Sequence, residues 1–221
     1  MEKVNIAALG DSLTRGVVLN SESCRAVKQA ILGKPIFLIC DDVYQQLSDV
    51  PCTGLSADPE LKPQRIVVQS FSKPWAMTGW RLGYLTAPGY VMEKLLLLSA
   101  ATIASVPTFL QEAAVEALAT DPAPCREIFA RRRGYAARRL KEMGLTFPEP
   151  EGAFYLFPDI REFGLGSDEF CTRLIREAGV AAVPGSCFGC EGFIRISCCC
   201  ADEALEEGLN RLETFIHNLQ P

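Results

Sequence analysis

Three short stretches carry side chains that could do chemistry together. They are Asp41-Asp42-Val43-Tyr44, Ser70-Phe71-Ser72-Lys73, and Arg81, eight residues beyond that lysine. A lysine amine can condense with an aldehyde. A carboxylate can keep a pyridine nitrogen protonated, and a phenol can hydrogen-bond a ring oxygen. Serine and arginine can bind phosphate, the guanidinium through two parallel N–H groups. Aldehyde, pyridine, ring oxygen and phosphate are parts of one cofactor, pyridoxal 5'-phosphate, and these residue types suit it.

The elements that must position these groups are also visible. Asp41 closes the apolar run 35–40, the pattern of a strand buried on both faces. Residues 65–70 form a second such run and residues 81–85 a shorter third, while residues 4–9 read as a further strand. A helix begins at Asn20-Ser21, with Cys24, Val27, Ala30 and Ile31 on one face and Gly33 as its stop. This alternation predicts an α/β fold with a mainly parallel sheet. Ligands in such sheets bind beyond the carboxyl ends of the strands, which gathers Asp41, Tyr44, Ser70 and Lys73 at one edge.

Helices are expected over 91–101 and 108–119. The break Asp121-Pro122-Ala123-Pro124 precedes a long basic helix over 126–143. The remainder reads as a small α+β domain with strands near 153–157, 180–183 and 192–197 and helices over 168–178 and 201–219. The expected division is 1–125 for a partial cofactor-binding large domain and 126–221 for the small C-terminal domain.

Composition bounds the function. With Lys+Arg 22 against Asp+Glu 27, a formal net charge of -5, 48% hydrophobic and 22% charged residues, the chain reads as a globular protein. Its mild acidity argues against nucleic acid. No apolar run is long enough to suggest a membrane span. Ten cysteines without a signal-peptide pattern suggest a cytoplasmic protein in which they act as small apolar residues.

The stretch Ser70-Phe71-Ser72-Lys73-Pro74-Trp75-Ala76-Met77-Thr78-Gly79-Trp80-Arg81-Leu82-Gly83 resembles the lysine-site signature of the class I/II aminotransferases, which are fold-type-I pyridoxal-phosphate enzymes. Asp41-x-x-Tyr44 resembles the ring-contact motif of that family. Pro184-Gly185-Ser186-x-Phe188-Gly189 and Gly192-Phe193-Ile194-Arg195-Ile196-Ser197 resemble its C-terminal substrate-arginine region. The likeness runs from about Gly16 to Leu212, four motifs in order.

The resemblance implies that Lys73 forms a Schiff base with the cofactor and later carries a proton as a free amine. It implies that Asp41 pairs with the ring nitrogen, Tyr44 with the ring oxygen, and Ser70 and Arg81 with the phosphate. Arg195 would bind the substrate α-carboxylate. The activity implied is transfer of an amino group between an amino acid and a 2-oxo acid, with aspartate-like or aromatic substrates, in a homodimer or another self-associated form. Phe154-Tyr155 resemble the edge of the small domain that faces substrate.

Two departures qualify this expectation. The family carries, ahead of the region matched here, a Gly-rich phosphate turn and an aromatic that stacks on the ring. The chain has no counterpart before Val4, so an incomplete chain, whose activity alone is in question, is expected. At 13–16 the family usually reads Asn-Pro-Thr-Gly, whereas this chain reads Leu13-Thr14-Arg15-Gly16. The start, Val4-Asn5-Ile6-Ala7-Ala8-Leu9-Gly10-Asp11-Ser12-Leu13-Thr14, instead resembles the first block of the GDSL (SGNH) hydrolases, with Ser12 as nucleophile. That reading lacks a base: the single histidine, His217, has no Asp-x-x-His block around it. An ester hydrolase and a catalytically silent family member are the alternatives to the aminotransferase.

No metal is expected. Cys187-x-x-Cys190 and Cys198-Cys199-Cys200 do not form two well-spaced ligand pairs, and adjacent strand residues point to opposite faces. Arg131-Arg132-Arg133 with Arg138-Arg139 read as a solvated helix face. Trp75 and Trp80 are both expected to pack on the lysine loop.

Overall fold

The structure is a computed structural model. It describes residues 19–51 and 54–219 and the backbone of the strand at 5–9. Two compact units divide between Arg126 and Glu127.

The first unit is an α/β layer. Its sheet holds β1 (Asn5–Leu9), β2 (Ile36–Asp41), β3 (Arg65–Ser70) and β4 (Gly83–Thr86) in the order β1-β2-β3-β4. The first three strands are parallel, and β4 returns antiparallel to β3. Between β1 and β2 lies α1 (Ser21–Ile31). Asn20 caps it, its side-chain oxygen accepting from the Ser23 N–H at 2.8 Å. Past its end, Gly33 takes φ +72°, the left-handed conformation that closes a helix.

One face of α1 presents Cys24, Val27 and Ile31 to Leu38 and Cys40 of β2 and to Leu55 and Leu61. Ala30 belongs to the exposed side instead, because its position falls off the arc these three define. Three short 3-10 turns, rather than an α-helix, connect β2 to β3. The strands are less covered than their apolar sequences suggest. In β2 only Leu38 and Cys40 are buried, β3 is half-buried throughout, and β4 is exposed. Burial on both faces is therefore not realised within the described residues.

Helices α2 (Gly89–Thr102) and α3 (Thr108–Ala119) follow β4. No residue of α2 is buried, although most of its side chains are apolar. Leu96, Leu97 and Leu98 are 62%, 68% and 60% exposed. On α3, Ala117 packs with Phe71 and Leu82, flanked by Leu110 and Ala114.

The long basic helix α4 (Ala123–Glu142) runs across the division. The second unit contains β5 (Tyr155–Leu156), α5 (Ser167–Arg173), β6 (Val183–Pro184), β7 (Ile194–Ser197) and α6 (Asp202–Leu219). Its strands are antiparallel in the order β5-β7-β6. They are shorter than the apolar runs that announce them. A π-helical turn at Leu174–Ala178 extends α5. The core joins Ala136, Ala137 and Leu140 of α4, Phe170 and Leu174, Ile194, and Leu205, Leu209, Leu212, Phe215 and Ile216 of α6. The α6 residues recur at helical spacing, which aligns them on one stripe.

The basic helix is only in part the solvated face its sequence suggests: Arg131 and Arg138 are exposed, but the other arginines are not. Arg133 is 2% exposed and donates to the Ala153 carbonyl. Arg139 donates to Tyr135 Oη, to Asn210 and to Glu213, and Arg131 and Arg132 both hold Asp202. Each finds a partner brought close by the fold, which no pattern within the helix reveals. The nine cysteines among the described residues are free thiols. Burial pushes the Cys40 and Cys198 thiols up to about 12 and Cys171 to about 11.

Candidate active site

The carboxyl ends of β2 and β3 lie side by side, because these strands are parallel and in register at Asp41↔Val68. Asp41 is the last residue of β2, and its side chain is exposed there. Directly after it, the Asp42 N–H donates to the Val68 carbonyl, carrying the pairing one residue further. Side chains alternate along an extended chain, so the two adjacent acids face opposite ways. Asp41 points out and Asp42 points in, toward Ser56.

Burial raises the Asp42 carboxyl above the usual range, and the neighbouring Asp41 charge adds to that. Asp42 Oδ2 is buried with no hydrogen-bond partner among the described residues. The motif placed two acids at the strand end; the inward role of the second is a feature that strand alternation could have announced.

Tyr44 is buried, 8% exposed, at the start of the turn beyond β2. Lys73 lies in the loop after β3, with its Nζ 5.9 Å from the Tyr44 ring centroid. The structure thus brings near each other two residues 29 positions apart in sequence.

The loop is held from several directions. Phe71 is buried against Trp75 at 5.3 Å and Tyr84 at 5.6 Å between ring centroids. The Trp75 indole N–H donates to the Thr120 carbonyl at 3.1 Å, and the Phe71 N–H donates to the Leu82 carbonyl. Ala76 adopts φ 53°, turning the chain back. Trp80 does not pack there: it is 44% exposed, because the 3-10 turn Thr78–Trp80 carries it outward.

Ser70 ends β3, and its Oγ accepts from the Ser72 N–H at 3.1 Å. Arg81 stands just before β4 in the left-handed conformation, φ 54°, and is exposed, donating to the Thr78 carbonyl at 3.1 Å. Gly83, opposite Ser70, permits this closeness: a Cβ there would fall 2.7 Å from the Gln69 carbonyl oxygen. Asp41, Tyr44, Ser70, Lys73 and Arg81 therefore all belong to one end of one sheet.

Arg195 lies on β7 in the second unit. Its guanidinium carbon is 4.4 Å from the Tyr155 ring centroid and 4.5 Å from that of Phe188. Ser12 and residues 13–16 lie outside the described residues. His217 is exposed on α6. Among the described residues no group of three or more His, Cys, Asp or Glu could hold a metal ion, and no helix is long and apolar enough to cross a membrane.

Residues 14–212 match the family described as aminotransferase class I and II. The chain belongs to this family. It is 37% identical over 207 residues to the probable N-acetyl-LL-diaminopimelate aminotransferase of Bacillus subtilis, covering 91% of this chain and 52% of that protein. It is 38% identical over 210 residues to the aspartate aminotransferase of Pyrococcus abyssi, covering 91% and 54%. Among solved structures, the aromatic aminotransferase from Pyrococcus horikoshii superposes with a TM-score of 0.90 at 35% identity, over 96% of this chain and 59% of that one. The chain spans about half the length of the curated relatives it matches.

Its α/β architecture is that of the fold-type-I aminotransferases, whose class depends on pyridoxal phosphate. The family match begins at Thr14, so of the hydrolase-like block at 4–14 all but the last residue lies outside it.

The residues present fit such a cofactor. A lysine amine over a buried tyrosine ring, an outward carboxylate at the adjoining strand end, and a serine and an arginine beside a glycine-opened approach would offer groups of the kinds its aldehyde, ring and phosphate take.

Proposed function

We propose that this chain takes part in transamination, moving an amino group between an amino acid and a 2-oxo acid. The observation that carries the reading is the Lys73 amine over the Tyr44 ring at the carboxyl end of the parallel strands. When bound, pyridoxal phosphate supplies an aldehyde that takes up amines and a ring that withdraws electrons from the substrate's α-carbon.

The chain's own residues do the rest. Lys73 Nζ would offer the amine that takes up the aldehyde and, once free, would carry a proton from the substrate α-carbon to the cofactor carbon that bore the aldehyde. Asp41 holds the proton on the pyridine nitrogen. Tyr44 donates to the ring oxygen, and Ser70 and Arg81 hold the phosphate. Arg195 binds the substrate α-carboxylate through two N–H groups. Residues 1–125 would form the cofactor-binding part and 126–221 the small domain. Nine free thiols among the described residues favour a cytoplasmic setting, and the exposed apolar α2 favours a homodimer or other self-association.

The test is covalent trapping. The protein is incubated with pyridoxal phosphate, reduced with borohydride, passed through gel filtration and digested. Mass spectrometry should place the pyridoxyl group on Lys73 in preference to the other lysines. Even labelling of exposed lysines, unchanged by Lys73→Ala, would point to a silent family member.

A further inference from the structure

Arg195 is held differently from several arginines of the second unit. Arg161 is clamped by Asp159, Arg139 by Glu213, and Arg131 and Arg132 by Asp202. Among the described residues no carboxylate pairs with Arg195. Two aromatic rings take that place, Tyr155 at 4.4 Å and Phe188 at 4.5 Å. Tyr155 lies opposite Ser197, so Tyr155 and Arg195 are diagonal neighbours on one face of the β5–β7 pair.

Phe188 comes from the 3-10 turn Gly185–Phe188 just after β6. That turn is pinned to the start of α5: the Ser186 N–H donates to Ser167 Oγ at 3.2 Å, and Ser186 Oγ–H donates to Asp168 at 2.7 Å. Glu191 in turn accepts from the Ser167 N–H and hydroxyl at 2.6 and 2.9 Å.

The two rings are ends of longer stacks. Phe188 meets Phe157 edge-on at 6.0 Å, Phe157 stacks on Phe193 at 5.5 Å, and Arg161 covers Phe193 at 5.4 Å. On the other side Tyr155 meets Phe154 at 4.5 Å, and Phe154 meets Phe129 of α4 at 4.8 Å. The buried Arg133 holds the carbonyl of Ala153, which sits at φ 55° immediately before Phe154.

We infer that Tyr155 and Phe188 are positioning residues that hold the flat faces of the Arg195 guanidinium between two rings, leaving its N–H edge for a carboxylate. A carboxylate clamp would cancel the charge and occupy those N–H groups. Ring faces attract the cation while leaving its charge and its edge donors available. Orientation is thus fixed before any ligand arrives, which lowers the ordering cost of binding. This inference rests on the carboxylate-binding reading of Arg195 given above.

The experiment titrates the full chain with succinate, which has neither amine nor ketone, and follows the Arg195 side chain by NMR. In the unaltered protein the Arg195 δ-methylene and Nε–H protons should lie upfield through the ring currents, and succinate should shift the Nε–H. Tyr155→Leu and Phe188→Leu should each bind succinate about three- to thirtyfold more weakly. Tyr155→Phe and Phe188→Tyr, which keep a ring, should bind as the parent does.

Leucine variants that bind as tightly as the parent, while Arg195→Gln does not bind, would overturn the positioning role and leave the Arg195 assignment intact. Succinate binding unchanged in Arg195→Gln, or absent from the parent, would overturn both. Should the leucine variants fail to fold, the parent spectrum decides: Arg195 protons at ordinary positions overturn the inference.

Discussion

Asp42 turns its carboxyl inward beside Ser56, with one oxygen unpaired among the described residues. Its folded-state pKa is raised, so the folded protein binds a proton more readily there than the unfolded chain does. Stability from this group is therefore full at acid pH and is lost as pH rises through the carboxylate range and beyond. Asp42→Asn should raise the melting temperature at neutral pH, with the gain shrinking toward zero as the solution is acidified; thermal unfolding across pH 4–8 (approximate limits) reads both. Lys73→Ala should abolish specific cofactor trapping, read by the same borohydride reduction and mass spectrometry, while a cooperative thermal transition is kept. At this scale the sequence was informative where chemistry is local. Ser70, Lys73, Arg81 and Gly83 lie on the connection from β3 to β4 and its two flanking strand ends, so their association needed little tertiary information. Arg133 was illegible, because its partner is a backbone carbonyl 20 residues away and an arginine in a basic run ordinarily faces water.

The loop carrying Phe188 is an element shaped by one glycine and one acid. A Cβ on Gly185 would intrude on the carbonyl oxygens of Cys190 and Phe193. Gly185→Ala should therefore cost about 1–3 kcal/mol in denaturant unfolding, the usual range for forced overpacking. Glu191 has a lowered pKa because the Ser167 backbone and hydroxyl, and then the Gly192 N–H, donate to its charged form. Its contribution is present above the ordinary glutamate range and fades as pH falls through the lowered value. Glu191→Gln should be less stable than the parent near neutrality, with the two curves converging in acid. On α6, Leu209→Ala should cost about 2–5 kcal/mol, as for other buried leucines. The long helices were legible from capping and periodicity: Asn20 and Gly33 bracket α1, and Leu205, Leu209 and Leu212 mark the inner side of α6. The small strands were harder to bound. Tyr155–Leu156 is a two-residue pair inside a longer apolar run, and the left-handed Ala153 that truncates it carries no glycine to announce it.

Across the whole molecule, apolar surface is unevenly covered. Leu97 on α2 and Phe109 and Val115 on α3 are about two-thirds exposed, at 68%, 66% and 65%. Such surface favours association, so light scattering after gel filtration should show species larger than a monomer. Leu97→Glu combined with Phe109→Glu should shift the population toward the monomer. The sequence announced these helices but not their exposure, since an apolar segment reads the same whether or not something lies upon it. The cysteines offer a different handle on the same molecule. Cys40 lies in the first unit and Cys171 and Cys198 in the second, all buried with thiols held far from ionisation at neutral pH, whereas Cys187, Cys199 and Cys200 are exposed. An alkylating reagent consumes thiolate, so the outer three should react first. The slower uptake at Cys40 and at Cys198 then becomes a pair of internal clocks, each ticking only when its own half of the chain breathes open.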